Sequence, residues 1–335
     1  MDQEEILVSV ICTTYNHEKY IRDCLEGFVT QKTNFAYEVI VHDDASTDYT
    51  ADIIREYERK YPEIIKPIFQ TQNQYSQGVS ISATFILPIV RGRFIALCEG
   101  DDYWTDPYKL QKQVDGMMAN PTCKMCTHKV IEVYEDGKPN GISYPSVPVK
   151  AGVISSRQFF EIGKQYSFHT SSYFFCAEPY FEYRCNPPEF VRKSDVGDEM
   201  MMLYFGTQGD VLYFEEEMSC YRRGVQVSWS YENHKNLDKM IMHGHKMVEA
   251  FQSFDAYSHK EYHDILCDRI ARQMAKTVIL EKKAYVFLSK ENREYFRCLS
   301  NMRKVFTLFG VVVPRLVRRL YISRINKLAS SRGVY

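Results

Sequence analysis

Short apolar runs recur through the first third of the chain and predict a set of buried strands. Residues 7–13 (LVSVICT), 37–41 and 94–98 (FIALC) are rich in β-branched and other apolar side chains, and a more polar run at 66–70 predicts one further strand. Continuous apolar runs of this length are typical of parallel strands covered on both faces. We therefore expect four strands of one buried sheet.

Helical spacing of apolar residues separates these runs. Residues 20–30 and 109–119 each place apolar side chains on one face, and a helix is predicted over 46–61 with Ser46 as its N-cap. The stretch 81–90 has helical spacing but contains a proline. This alternation predicts a mainly parallel sheet flanked by helices, and such sheets bind ligands beyond the carboxyl ends of their strands.

The rest of the chain divides into a mixed section and a helical section. From about residue 122 to about residue 230 we predict the strands 125–134, 172–176 and 211–221 and the helices 156–162 and 198–205. From about residue 233 onward the spacing is helical. We therefore expect one α/β domain over 1–230 and a helical C-terminal extension over 231–335.

Composition gives no sign of a nucleic-acid-binding, secreted or membrane-spanning protein. The 335 residues are 45% apolar with a formal net charge of -1, which gives no sign of a nucleic-acid partner. The start of the chain does not resemble a secretory signal, and no apolar run is long enough to cross a bilayer, so we expect a cytoplasmic protein. We expect the ten scattered cysteines to be small buried side chains, and Cys123 and Cys126 lack the further ligands of a zinc site.

Polar clusters follow three of the predicted strands. They are the segments 13–17 (TTYNH), 42–48 (HDDASTD) and 99–104 (EGDDYW). Because parallel strands end at the same edge of a sheet, we expect all three clusters to open onto one crevice.

The third cluster brings three carboxylates together within four residues. Glu99, Asp101 and Asp102 repel one another unless a cation neutralises them, and oxygen ligands suit Mg²⁺ or Mn²⁺. Gly100 is expected to let the backbone turn sharply. The alternative is a solvated acidic turn followed by Trp104 as a core residue. In the second cluster, Asp43 and its neighbours either cap a helix or accept a hydrogen bond from a nucleotide base.

Together these motifs resemble family 2 glycosyltransferases. The resemblance rests on VSVICTTYNHEKYI, EVIVHDDASTD, GRFIALCEGDDYW with DPYKLQKQV, and DEMMMLYFGTQGDVLYFEEEMSCYRRG, and it covers roughly residues 6 to 230. It implies an α/β fold of the GT-A (Rossmann-like) nucleotide-diphospho-sugar transferase type. It also implies transfer of a sugar from a nucleotide-sugar in the synthesis of a bacterial surface polysaccharide, with UDP as the expected carrier and GDP or dTDP as the alternatives.

The resemblance also implies roles for residues at the three strand ends. Thr14 and Tyr15 match the start of the nucleotide pocket, Asp43 matches the aspartate that accepts from the base, and Asp44 is its neighbour in the donor site. The segment Glu99–Asp101 matches the DxD motif with Glu in its first position. Glu99, Asp101 and Asp102 are therefore the candidate ligands of Mn²⁺ or Mg²⁺, and Asp101 also belongs to the donor site.

Two further residues complete the expected machinery. Asp198 matches the acid that deprotonates the acceptor in inverting members of the family, with Asp195 and Glu199 as alternatives and a helix cap as the structural explanation. Arg222 is a candidate to offset the charge of the leaving diphosphate. Gly224 stands where the family commonly has His, which puts a second contact to the diphosphate in doubt.

Other functions stay open at this level. A non-catalytic module that binds nucleotide-sugars could share these motifs, whereas a sugar nucleotidyltransferase usually has a Gly-rich loop after the first strand, which segment 14–17 lacks. The expected acceptor is a glycan or a lipid-linked sugar.

A basic amphipathic helix is predicted over 314–328. Leu316, Leu320 and Leu328 share an apolar face, Arg315 and Arg319 lie on the opposite face, and no Asp or Glu occurs after Glu294. Such a helix either lies on an anionic membrane, here the inner face, or packs on protein.

Overall fold

The computed structural model describes residues 5–163, 168–224 and 236–331. Contacts divide the chain into two units: Met1–Pro187 with Met201–Arg223, and Pro188–Met200 with Gly224–Tyr335. The domain boundary predicted at 230/231 falls within 225–235, outside the described residues.

Seven of the described strands of the first unit lie close to their predicted positions, because buried apolar runs bounded by polar turns leave little freedom in where a strand begins and ends. The strands Tyr103–Trp104, Pro139–Tyr144 and Gly152–Ile154 were not predicted. The described strands are β1 (Ile6–Thr14), β2 (Ala36–Asp43), β3 (Ile65–Phe69), β4 (Phe94–Leu97), β5 (Tyr103–Trp104), β6 (Met125–Val133), β7 (Pro139–Tyr144), β8 (Gly152–Ile154), β9 (Phe174–Cys176) and β10 (Val211–Arg222).

All ten strands form one sheet. Its main order is β3-β2-β1-β4-β9-β6-β10-β5, with β7 beside β6 and β8 beside β10. The four strands from β3 to β4 are parallel, as predicted for the N-terminal third. Beyond β4 the sheet is mixed, because β9 runs antiparallel to both β4 and β6. The parallel half therefore brings the ends of β1, β2 and β4 to one edge.

Helices cover the sheet of this unit. They are α1 (Ile21–Val29), α2 (Thr50–Lys60), α3 (Lys109–Ala119), α4 (Ser156–Gly163) and α5 (Ala177–Cys185). The apolar face predicted for α1 is buried in the main core. The stretch predicted at 81–90 is a π-helical turn over Ser82–Ile86 followed by a 3₁₀ turn over Leu87–Ile89.

The predicted capping role of Ser46 is wrong. Helix α2 begins at Thr50, and its N-cap Tyr49 makes no side-chain cap. The Ser46 hydroxyl instead accepts a hydrogen bond from the Asn16 amide at 2.8 Å. The partner of Ser46 thus lies on the neighbouring strand end, a contact that a local capping pattern does not reveal.

The second unit is helical. It contains α6 (Glu189–Lys193), the first residues of α7 (Gly197–Thr207), α8 (Leu237–Tyr257), α9 (His263–Glu281), α10 (Arg293–Cys298), α11 (Asn301–Val312) and α12 (Pro314–Ser331). Helix α12 begins at the proline predicted to start it. No described helix is long and apolar enough to cross a membrane.

The expectation that the cysteines are small buried side chains is wrong for Cys185, which is exposed, and one pair of cysteines is not free. Cys267 of α9 and Cys298 of α10 form a disulfide in the second unit. These residues are 31 positions apart, so the chain itself does not show that the two thiols meet.

A lysine is buried in the core behind the acidic turn. Lys109 is fully buried, its ammonium donates to Gln113 Oε1 at 2.7 Å and it lies 4.0 Å from the centre of the Trp104 ring. Burial lowers the pKa of Lys109 to about 7. Burial therefore destabilises the charged form of Lys109, and the contacts with the Trp104 ring and the Gln113 amide offset only part of this cost.

Replacing Lys109 by Met should change how stability depends on pH. In the unfolded chain the lysine keeps its proton up to about pH 10.5, whereas the folded protein releases it near pH 7, so wild-type stability rises with pH between these values. Relative to Lys109→Met, the wild-type free energy of unfolding should increase by ~2 kcal/mol from about pH 7 to about pH 9 in urea titrations. Lys66→Met, at a partly exposed lysine, is the control. Parallel pH profiles of wild type and Lys109→Met would contradict the buried charge.

Candidate active site

The ends of β1 and β2 are tied together by side chains from the loops that follow them. Thr14 pairs with Asp43 in parallel register, and Asn16 adopts a left-handed backbone with φ of 55°. The Asn16 side chain accepts from the Thr47 amide at 2.8 Å, and the His17 amide donates to Thr50 Oγ1 at 2.8 Å. Thr14 is buried at this edge, whereas Tyr15, at 38% exposure, is open to solvent.

Asp43 presents a buried acceptor at the end of β2. Its Oδ2 accepts from the Ser46 amide at 3.2 Å, whereas its Oδ1 has no hydrogen-bond donor among the described residues. Burial raises the pKa of Asp43. A buried oxygen without a donor is costly unless a ligand supplies one, so Asp43 is suited to accept an N–H from a nucleotide base.

Asp44 uses its carboxylate within the protein. Its two oxygens accept from the backbone amides of Gln74 and Tyr75, at 2.8 and 3.0 Å. These bonds hold the loop that follows β3 against the end of β2. The contacts of Asp44 therefore give it a positioning role at this edge.

The acidic turn after β4 packs directly on the end of β1. The Gly100 amide donates to the Thr13 carbonyl at 3.0 Å, and a β-carbon on Gly100 would lie 2.6 Å from Thr14 Oγ1. Its φ is not in the left-handed region, so glycine is required here for close approach and not for the sharp turn that the sequence suggested. His17 Nδ1 lies 3.1 Å from Thr14 Oγ1, and His17 Nε2 lies 4.0 Å from Asp101.

Two of the three acids in this turn have partners within the protein. Glu99 accepts from Thr170 Oγ1 at 2.8 Å, and Asp102 accepts from the Arg222 amide at 2.9 Å. Burial raises the pKa of Asp102 well above its ordinary value, and the charges of Asp101 and Glu99 raise it further. Burial and repulsion thus disfavour an ionised Asp102 unless a cation neutralises the turn.

A divalent cation fits this turn if the protein supplies few of its ligands. Among the described residues, no three His, Cys, Asp or Glu side chains are grouped as a metal centre requires. Mg²⁺ commonly takes one or two carboxylates and completes its shell with phosphate oxygens and water. Asp101, next to the buried Asp102 and with part of its side chain exposed, is placed to be such a ligand.

Arg222 is committed to partners within the first unit. Its Nε donates to the Asp101 carbonyl at 3.1 Å, one terminal nitrogen donates to the Glu135 carbonyl at 3.1 Å, and the other donates to Asp23 at 2.8 Å. The side chain is 4% exposed. These bonds hold the backbone of the acidic turn in place. The positive charge of Arg222 can still act electrostatically on a ligand at this edge, but its Nε and both terminal nitrogens already donate to protein acceptors.

The predicted base belongs to the second unit. Asp198 lies in the first turn of α7, where its side chain is exposed to solvent. The two alternatives are paired: Glu199 with Arg269, and Asp195 with His243 at 2.7 Å. Of the three acids, Asp198 therefore has the carboxylate with fewest commitments among the described residues.

Three neighbours of this site, His17, His169 and Thr170, make contacts that the sequence does not indicate. His17 was part of a recognised motif, and its link between Thr14 and the acidic turn was not foreseen. His169, whose pKa burial lowers to about 3, is neutral where its Nδ1 lies 3.7 Å from Asp102. Thr170 is 71 residues from Glu99 in the chain, so no local pattern signals their contact.

Comparisons with known proteins define the class. The model of the family described as Glycosyl transferase family 2 matches residues 9–182, so the chain belongs to glycosyltransferase family 2 and is an enzyme of that class. An uncharacterized protein of Mycobacterium tuberculosis is 33% identical over 263 residues, covering 72% of this chain and 71% of that one. The putative teichuronic acid biosynthesis glycosyltransferase TuaG of Bacillus subtilis is 34% identical over 133 residues, covering 40% of this chain and 50% of TuaG.

Solved structures show the same fold. Residues 1–349 of S. aureus TarS, in complex with UDP-GlcNAc, superpose with a TM-score of 0.53 at 15% identity, covering 98% of this chain and 93% of that one. The chain spans 55% of the longer TarS structure. The mannosyltransferase PcManGT of Pyrobaculum calidifontis, with GDP-Man and Mn²⁺, gives 0.52 at 14% identity, covering 100% and 91%. These likenesses confirm the predicted GT-A fold.

Replacing Gly100 by Ala tests the packing of the acidic turn on β1. The added carbon cannot fit against Thr14 without a shift, so the free energy of unfolding should fall by roughly 1–3 kcal/mol and UDP should bind more weakly. Urea titration and calorimetry measure these effects. Gly197→Ala, whose added carbon meets nothing within 4 Å, should leave both quantities nearly unchanged. Wild-type values for Gly100→Ala would contradict the packing.

Proposed function

We propose that this chain transfers a sugar from a nucleotide-sugar, with UDP as the preferred carrier, to a glycan or lipid-linked acceptor in cell-surface polysaccharide synthesis, with inversion at the anomeric carbon. The observation that carries the proposal is the meeting, at one edge of the parallel sheet, of a buried base acceptor and an acidic turn. Asp43 Oδ1 is the acceptor, and Asp101 and Asp102 belong to the turn.

The donor half of the proposal follows from chemistry at the strand ends. The base donates an N–H to Asp43, while Thr14 and Tyr15 line the entrance to the same pocket and Asp44 fixes its loop. The TarS fragment, which shares the fold, is described in complex with UDP-GlcNAc, and TuaG is named for teichuronic acid biosynthesis. Both names are consistent with a UDP-sugar donor and a surface polysaccharide product.

The proposed reaction also uses a divalent cation, which would balance the negative charges of the acidic turn and of the diphosphate. Asp101 would hold Mn²⁺ or Mg²⁺, and the bound cation would favour the ionised forms of Asp102 and Glu99 in the same turn. When bound, the cation offsets the charge of the departing diphosphate. PcManGT is described with Mn²⁺.

Asp198 is proposed as the base in a single displacement. Its carboxylate takes the proton of the acceptor hydroxyl as that oxygen forms a bond to the anomeric carbon, and the bond from this carbon to the diphosphate breaks as the nucleoside diphosphate leaves. Unlike Asp195 and Glu199, Asp198 has no ion pair among the described residues, so its carboxylate is free to accept a proton. Arg222 contributes by fixing the acidic turn. Action on the inner face of a membrane, through 314–328, completes the proposal.

Two substitutions should separate binding from transfer. Asp198→Asn should lower transfer by about 100-fold or more and leave Mn²⁺-dependent UDP binding nearly unchanged, because it removes only the proton acceptor. Asp101→Asn should instead weaken UDP binding about tenfold with Mn²⁺ and have little effect without it. UDP release from UDP-GlcNAc and UDP-glucose with bacterial membrane extract, and calorimetric titration with UDP, measure the two effects.

Asp115→Asn, at an exposed acid of α3 that accepts from Gln111, is the matched control and should behave as wild type in both assays. Near-normal transfer by Asp198→Asn would exclude it as the base. Undiminished Mn²⁺-dependent binding by Asp101→Asn would mean that the metal is held elsewhere.

A further inference from the structure

An apolar stripe is exposed along the last two helices of the second unit. It consists of Met302, Val305, Phe309 and Val312 on α11 and Leu316 and Leu320 on α12, each between 53% and 80% exposed. The spacing of three and four residues places each set on one face of its helix. We call these six residues the apolar stripe. Such a contiguous apolar surface marks an interaction site.

A cavity of about 510 Å³ lies beside the stripe, between α9, α11 and α12. Met302, Phe309 and Leu320 of the stripe line it, so stripe and cavity are continuous. Lys276, Arg303 and Arg324 also line it, as does Arg272, which is paired with Asp268, and none of its described lining residues is Asp or Glu. The cavity thus combines apolar walls with a cationic rim.

Lys276 has no ion-pair partner in the part of the chain that the structure describes. It is partly buried on α9, and burial lowers its pKa. Among the described residues Lys276 has no hydrogen bond or ion pair, and the same holds for Arg303 and Arg324. The buried Thr307 hydroxyl, also in the lining, has no described partner. A partly buried ammonium and a buried hydroxyl, both without a described hydrogen-bond partner, favour an anionic, oxygen-rich ligand.

The occupant must match both features at once. Inorganic phosphate would satisfy the cations but leave the apolar stripe in water, whereas an apolar protein surface would cover the stripe and leave the cations unmatched. An anionic phospholipid has a phosphate head and apolar chains in one molecule, and a bilayer of such lipids presents a surface as extended as the stripe. Charge complementarity therefore selects the lipid.

We propose that the second unit binds an anionic phospholipid bilayer through the apolar stripe, with the phosphate of one lipid at Lys276, Arg303 and Arg324 and part of its acyl chain in the adjoining cavity. This proposal rests on the membrane contact proposed above and does not depend on the transfer reaction. It extends the contact surface from α12 to α9 and α11, and its ligand is an anionic phospholipid.

Vesicle co-sedimentation of the full chain tests the surface. Vesicles of phosphatidylcholine with about one third phosphatidylglycerol should bind about tenfold more tightly than phosphatidylcholine alone, and salt should weaken the binding. The triple variant Lys276→Gln, Arg303→Gln, Arg324→Gln should lose about tenfold. The triple variant Arg59→Gln, Lys60→Gln, Lys66→Gln removes the same formal charge from the first unit and should lose much less. Equal losses in the two triple variants would overturn the proposal.

The apolar stripe has its own matched pair. Val305→Ser with Phe309→Ser should lower vesicle binding about tenfold, whereas Met118→Ser with Val153→Ser, at exposed residues of the first unit, should not. Thermal unfolding checks that all variants fold. The alternative occupant of the apolar stripe is a second copy of this chain, and sedimentation equilibrium tests for it. A wild-type dimer that Phe309→Ser dissociates would overturn the lipid assignment.

The cavity is tested with a short-chain phosphatidylglycerol below its micelle concentration. It should bind the wild type and not the triple variant at Lys276, Arg303 and Arg324, and inorganic phosphate should bind far more weakly. Comparable binding of inorganic phosphate would contradict an acyl chain in the cavity. UDP titration of the wild type without vesicles separates the two proposals. A wild type that binds UDP but not the anionic vesicles rejects only the lipid site, whereas a wild type that binds the vesicles but not UDP rejects only the donor site.

Discussion

Carboxylates held out of water at one edge of a parallel sheet are the constraint on which the rest of this site depends. Asp43, Asp44 and Asp102 are each less than 4% exposed, and each is stabilised differently. Asp44 is satisfied by two backbone amides, Asp102 receives one amide and is repelled by its acidic neighbours, and Asp43 has one satisfied oxygen. Because a buried charge without partners is strongly unfavourable, the incompletely satisfied groups mark where a ligand can add stability.

The surrounding chain holds these carboxylates in position. Gly100 allows the acidic turn to touch β1, Arg222 fixes the same turn from behind, and His17 bridges it to Thr14. Each of these residues acts through backbone position more than through contact with a substrate. Preorganisation of this kind matters for a transferase, because charge on the leaving diphosphate develops at a fixed place.

The parts of the fold that could be predicted were those encoded locally. The buried strands and α3 follow from apolar runs and helical spacing, because neighbouring side chains decide these elements. The hydrogen bonds of Ser46 and Thr170 could not be predicted, because their partners Asn16 and Glu99 lie 30 and 71 residues away. The disulfide in the second unit likewise depends on tertiary packing. For the candidate site, the sequence indicated the three strand ends but not which oxygens were already satisfied.

Anomalous diffraction from crystals grown with UDP and Mn²⁺ would locate the metal and the nucleotide together. We expect a manganese peak within coordination distance of the Asp101 carboxylate and of the diphosphate, with an N–H of the uracil ring donating to Asp43 Oδ1. Nucleotide bound away from the ends of β1, β2 and β4, or a manganese peak that no residue of the acidic turn contacts, would contradict this expectation.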